Sequence, residues 1–136
     1  MARILVIEDN AANMKLADLI LSRVGHIVIA AKDAESGMAL ALAELPDLIL
    51  MDIQLPGMDG LTATAQLKKN PATSSIPIIA LTAMAMKEDE KKSQIAGCDG
   101  YITKPLRYLE LLAAIDLLLS KIAAGSLVNQ NSAAPD

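Results

Sequence analysis

The chain has 136 residues, enough for one domain to close a hydrophobic core. Hydrophobic residues make up 53%, yet there are only two Tyr and no Phe or Trp, so aliphatic side chains must do the packing and no aromatic platform exists for stacking single-stranded nucleic acid. Sixteen acidic residues against twelve basic ones give a net charge of -4, the wrong sign for gripping a phosphate backbone, which excludes direct nucleic-acid binding as the expected function.

The chain begins MARILVIEDN, reaching acidic residues by Glu8, which argues against a signal peptide. Ile4 to Ile7 is the first of four short, continuous apolar runs; the others are Ile27 to Ala30, Leu48 to Met51 and Ile78 to Leu81. Runs of this length without polar alternation suit strands buried on both faces, as in a parallel sheet. Gly100 to Thr103 is a weaker fifth strand. Helices are expected between the strands. The first, 11–24, places Leu16, Ala17, Ile20 and Val24 on a core stripe and stops at Gly25. The second, 34–44, has Asp33 as its N-cap and ends before Pro46. The third, 60–69, follows Asp59 and is closed by Asn70-Pro71. A fourth, 87–96, is a charged, solvated segment with few core residues, and a fifth, 107–123, carries Leu111, Ile115, Leu118 and Ile122 on one stripe. Residues 124–136 read as a polar tail. No apolar run approaches the roughly 18 residues of a membrane span. A single cysteine, Cys98, permits neither an internal disulfide nor a zinc cluster and reads as a small buried filler. The alternating order predicts an α/β domain over residues 1–123: a five-stranded, parallel, doubly wound sheet with five helices and right-handed crossovers, soluble and cytoplasmic.

In such sheets ligands bind beyond the carboxyl ends of the strands. Glu8 and Asp9 follow the first strand, Asp52 ends the third, Thr82 ends the fourth, and Lys104-Pro105 follows the fifth. Three carboxylates, a hydroxyl and an ammonium are thus expected on one edge. Clustered carboxylates need a cation among them, and hard oxygen donors favour magnesium. That set suits phosphoryl transfer to a carboxylate, with aspartyl phosphate as the product. No GxxxxGK[ST] loop is present, so a bound nucleotide is not indicated. His26, alone in a turn after Gly25, is expected to be a surface or partly buried residue rather than a ligand or phosphodonor.

The stretches ILVIEDN, PDLILMDIQLPGMDG, IPIIALTA and GYITKP, in this order and spacing, resemble the receiver domain of two-component response regulators over residues 3–123. The wording EDNAANMKL, LILMDIQLPGMDGL and LTAMAMKEDE is similar to stand-alone members of that family. The resemblance implies a flavodoxin-like strand order 2-1-3-4-5 and assigns roles position by position. Asp52 corresponds to the phosphoacceptor, and Glu8 and Asp9 to the acidic pair that organises magnesium, with Asp52 and the backbone carbonyl of Gln54 as further ligands. Lys104 corresponds to the residue contacting the phosphoryl oxygens, Thr82 to the hydroxyl that turns toward them, and Tyr101 to the aromatic switch. The Lys104-Pro105 bond would be cis. Glu8 departs from the Asp that many receivers carry; its longer side chain would act on the metal through water.

The implied donor is a phosphohistidine on a sensor histidine kinase or histidine phosphotransfer protein. With no output domain in the sequence, the signal would pass by protein contact, through the surface of the fourth helix, fifth strand and fifth helix, to a downstream effector. Met14, Leu19 and Leu21 exceed the expected core stripe of the first helix and are candidates for donor docking; Tyr108, Leu109, Leu112, Leu117 and Leu119 are surplus on the last. The competing enzymatic reading, a haloacid-dehalogenase-like phosphatase, wants DxDx[TV] after the first strand, where this chain has Glu8-Asp9-Asn10. A phosphorylation-independent adaptor would not need the Asp9, Asp52, Thr82 and Lys104 set.

Overall fold

The computed structural model describes residues 2–83, 91, 92, 94 and 96–133, with side chains described up to residue 122. Five strands, β1 (Arg3–Ile7), β2 (Ile27–Ala31), β3 (Leu48–Asp52), β4 (Ile78–Thr82) and β5 (Gly100–Thr103), form one sheet in the order β2-β1-β3-β4-β5. Every pairing is parallel, with Ile7 beside both Ala31 and Met51, and Asp52 beside Leu81. The expected flavodoxin-like order therefore holds.

The helices α1 (Ala11–Arg23), α2 (Ala34–Glu44), α3 (Gly60–Lys69) and α4 (Tyr108–Ala133) cover both faces. Successive side chains along a strand point to opposite faces, which divides the core in two. Ile4, Val6, Leu48, Leu50, Ile79, Leu81 and Ile102 pack with Ala17, Ile20 and Leu21 of α1 and Leu111 and Ile115 of α4. Leu5, Ile7, Ile49, Met51 and Ile78 pack with Ala34 and Ala41 of α2 and Ala63 and Leu67 of α3. Asp33 and Asp59 cap α2 and α3 as expected, accepting from the backbone N–H of Ser36 and Thr62 at 2.8 Å. Leu45 ends α2 in the left-handed conformation.

Three expectations change. β2 is an edge strand whose Ile27 is exposed, so its apolar run does not mean burial on both faces. The segment predicted as a helix over 87–96 lies largely outside the described residues; Lys91, Lys92, Gln94 and Ala96 are helical. Residues 124–133, expected as a tail, continue the α4 backbone. Nothing before Pro135 forbids this, because a single Gly125 costs only about 1 kcal/mol within a helix. None of the described helices is long and apolar enough to cross a membrane.

His26 is partly buried and its Nδ1 accepts the backbone N–H of Ala2 at 3.0 Å. Cys98 is half-buried beside Thr64, and burial pushes its thiol up to about 11, leaving it inert packing.

Candidate functional site: an acidic cleft bridged by lysine

The carboxyl ends of β1, β3 and β5 meet at one edge of the sheet. The β1 ladder continues one bond past its end, Glu8 N–H donating to Ala31 O at 2.9 Å, which turns the buried Glu8 side chain inward. Asn10 then starts α1: its side chain accepts from Asn13 N–H at 2.9 Å, while its own N–H donates to Glu8 Oε2 at 3.2 Å. This cap fixes the turn that carries Asp9. Asn10 was not singled out in the sequence, although Asn immediately before a helical segment is an N-cap signal.

Asp52, the last residue of β3, is buried; its Oδ1 accepts from Gln54 N–H at 3.0 Å. Lys104 reaches back from the loop after β5. Its backbone N–H donates to Thr82 O at 2.6 Å, and its Nζ donates to Glu8 Oε1 at 2.6 Å and Asp52 Oδ2 at 3.0 Å. The Lys104-Pro105 bond is cis. One ammonium therefore bridges two buried carboxylates.

Two buried carboxylates on one ammonium cannot both ionise cheaply. Burial, reinforced by neighbouring Glu8, pushes Asp52 up to about 7. Burial opposes ionisation of Glu8 as well, but its hydrogen bonds with Asp52 and Lys104 outweigh it and hold Glu8 below its ordinary value. Burial would likewise lower Lys104, yet its bonds to Glu8 and Asp52 win and raise it. Near neutral pH the cleft holds a charged Glu8–Lys104 pair and an Asp52 that shares a proton with it.

Glu8, Asp9 and Asp52 can each place a carboxylate oxygen within 4.8 Å of the others, with Asp9 exposed at the mouth. Only oxygen donors line this cluster, and the excess negative charge fits a hard divalent cation. Thr82 is buried at the end of β4. The β4–β5 register places Tyr101 beside Ala80 and Thr103 beside Thr82, so Tyr101 and Thr82 lie on the same face of the sheet. The structure thus brings Glu8, Asp9, Asp52 and Lys104 together, with Thr82 and Tyr101 along one flank.

The docking residues proposed on α1 fare differently. Leu21 is fully buried against the sheet and is withdrawn from the docking face. Met14 is half-buried and lines the cleft with Glu8 and Asp9; Leu19 is exposed. At 100° per residue Met14 and Leu19 stand about 140° apart, so the three never shared a face. Conversely, Leu16 and Val24, expected in the core, are exposed. The helix carries aliphatic residues on more than one side, and the sheet selects Ala17, Ile20 and Leu21. Leu21→Ala should therefore cost about 2–5 kcal/mol of stability, whereas Leu19→Ala costs under about 0.5. Urea unfolding midpoints distinguish them; equal costs would refute this orientation of α1.

A doubly wound α/β domain with an acidic cluster and a lysine at its carboxyl edge has the architecture of a phosphorylation-controlled signalling domain. The chain belongs to the response regulator receiver domain family, whose model matches residues 4–116. It is 39% identical to protein PilH of Pseudomonas aeruginosa over 120 residues, 88% of this chain and 99% of that one. It is 41% identical over 112 residues to the polar-differentiation response regulator DivK of Brucella anthropi, covering 80% and 91%. Among solved structures, a CheY-like receiver domain from Methanospirillum hungatei superposes with a TM-score of 0.85 at 31% identity, covering 92% of this chain and 98% of that one. The receiver domain of a sensor histidine kinase from Pseudomonas aeruginosa, with magnesium coordinated in its active-site cleft, gives 0.82 at 32% identity, covering 88% and 98%. Family membership places the chain in two-component signalling, where receiver domains meet histidine kinases or phosphotransfer proteins and effectors.

Proposed function

We propose that Asp52 accepts a phosphoryl group from a phosphohistidine and that the chain signals by protein contact that depends on this modification. The observation that carries the reading is the Lys104 ammonium held on both Glu8 and Asp52 beside the exposed carboxylate of Asp9. In the transfer, the donor's phosphorus–nitrogen bond breaks and its electron pair returns to the imidazole, while an ionised Asp52 oxygen bonds to phosphorus. Lys104 is already within reach of Asp52 Oδ2 and would neutralise the phosphoryl oxygens.

Glu8, Asp9, Asp52 and the backbone carbonyl of Gln54 would hold magnesium, which supplies charge neutralisation and orientation for the phosphoryl group. Glu8, engaged with Lys104, would act on the ion less directly than Asp9. Thr82 would turn its hydroxyl to the new phosphoryl oxygens and Tyr101 would follow it, passing the change along β5 to α4. The remaining part of that output surface, 87–96, lies largely outside the described residues. The donor would dock along the exposed side of α1, through Leu19 and Leu16 rather than Leu21, with Met14 near the cleft. The reading is cytoplasmic, with no nucleic-acid or membrane partner.

Labelling from a phosphohistidine protein should vanish in chelator and return with excess magnesium; undiminished transfer in chelator would refute the metal's role. The raised Asp52 adds a sign. A proton occupies the cluster below about 7 and must leave for the cation to enter. Magnesium affinity should therefore rise by up to about tenfold per pH unit below that value and flatten above it. Calorimetric titration in buffers of different ionisation enthalpy would also detect the released proton. A flat profile from pH 6 to about 8 would contradict the shared-proton arrangement.

A further inference from the structure

A groove of about 800 Å³ runs between α1 and the start of α4, away from the acidic cleft. Its walls are apolar: Leu16, Leu19, Val24, Leu106, Leu109 and Leu112. Leu19 is 55% exposed, Val24 51%, Tyr108 61%, and Leu109 68%, the most exposed large apolar side chain among the described residues. Arg23, Arg107 and Glu110 also line the groove, and among the described residues none of the three forms an ion pair.

We infer that this groove is a self-association site, occupied by the same groove of a second copy of this chain. A two-fold pairing needs one patch carrying both a projection and a recess, with charges of both signs. Here Leu109 and Tyr108 project beside the recess between Leu16, Leu19 and Leu112. Arg23 on α1 and Glu110 on α4 have opposite charges, so rotating one copy onto another can pair each with its counterpart twice. A purely acidic partner would leave Glu110 opposed. The patch is small: its exposed side chains offer on the order of 500 Å² per copy, against about 800 Å² per partner in a standard stable complex. The pairing is therefore weak and concentration-dependent, with a dissociation constant on the order of 100 µM.

Leu16 and Leu19 belong both to this patch and to the donor face, so self-association and donor docking exclude one another. That consequence rests on the proposed function; the association itself does not.

Sedimentation of the metal-free, unphosphorylated chain up to about 1 mM should show reversible monomer–dimer exchange. Leu109→Glu should weaken it more than about tenfold while leaving acetyl phosphate labelling unchanged, which also shows that the variant folds. Arg23→Glu should weaken association, and adding Glu110→Arg should restore it to within about threefold. A monomer at every concentration, a dimer indifferent to Leu109→Glu, or a double reversal that fails to restore pairing would each overturn the inference. If the chain stays monomeric and Leu109→Glu slows transfer only from a phosphohistidine protein, the groove belongs to the donor instead.

Discussion

Asp52→Asn should abolish phosphate incorporation from phosphohistidine proteins and acetyl phosphate alike, by roughly a hundredfold or more, because the amide offers no anionic oxygen to attack phosphorus. The same substitution should stabilise the metal-free domain near pH 8 by about 1–3 kcal/mol. Asp52 is raised from an ordinary 3.8 to about 7, so its protonated form favours folding. That stability is complete below the unfolded value and is lost as pH rises through about 7. Glu8 has the opposite sign: its carboxyl is lowered, so its contribution is present above its ordinary 4.5 and fades as pH falls. Without metal the wild type should be most stable in the mildly acidic window between these limits. The Asn variant keeps the Glu8–Lys104 pair and should lose the decline on the alkaline side. Urea unfolding across pH, beside acid- and base-labile labelling, measures both effects. Persistent labelling would remove Asp52 as the acceptor. Identical alkaline declines would show that the buried carboxylates do not share a proton.

Gly60→Ala should damage the site without touching any charged group. Gly60 opens α3, and its N–H donates to Ile53 O at 2.9 Å. A Cβ there would strike the backbone carbonyl of Asp52 and the Cα of Ile53 inside any ordinary contact distance. Backbone on both sides cannot swing aside as a side-chain tip could. The expected cost is toward the upper end of the roughly 1–3 kcal/mol that overpacking imposes. Relief requires shifting α3 or the end of β3, and displacing Asp52 by about 1 Å would slow transfer from every donor by up to about a hundredfold. Equal stability and labelling in Gly60→Ala would mean that α3 moves freely against β3.

Much of this domain was legible in one dimension. Strands buried on both faces must be apolar at every position, and Leu48–Asp52 and Ile78–Thr82 are buried throughout. β2 produced the same pattern but lies at the edge, because an apolar run records composition and not the number of neighbouring strands. Asp33 and Asp59 were readable as caps because capping depends on residues three apart. The end of α4 was not, since weak helix formers after Gly125 neither compel nor prevent another turn.

The same division runs through the site. By itself the sequence determined which residues could meet: parallel strands deliver their carboxyl ends to one edge, so Glu8, Asp9, Asp52, Thr82 and Lys104 were identifiable from the position of each after its strand. Tertiary structure decided what they do to one another. The span from Glu8 to Lys104 closes only when β5 takes its place in the sheet, and only then does one ammonium hold two buried carboxylates and force a proton onto Asp52. The rotation of α1 was settled in the same way. Aliphatic residues on several sides left its inward face open, until packing on Val6, Leu50 and the α4 residues Leu111 and Ile115 buried Leu21 and left Leu19 outside. Local pattern reports which contacts a residue type can make, whereas burial and electrostatic coupling depend on partners that the fold brings from distant parts of the chain.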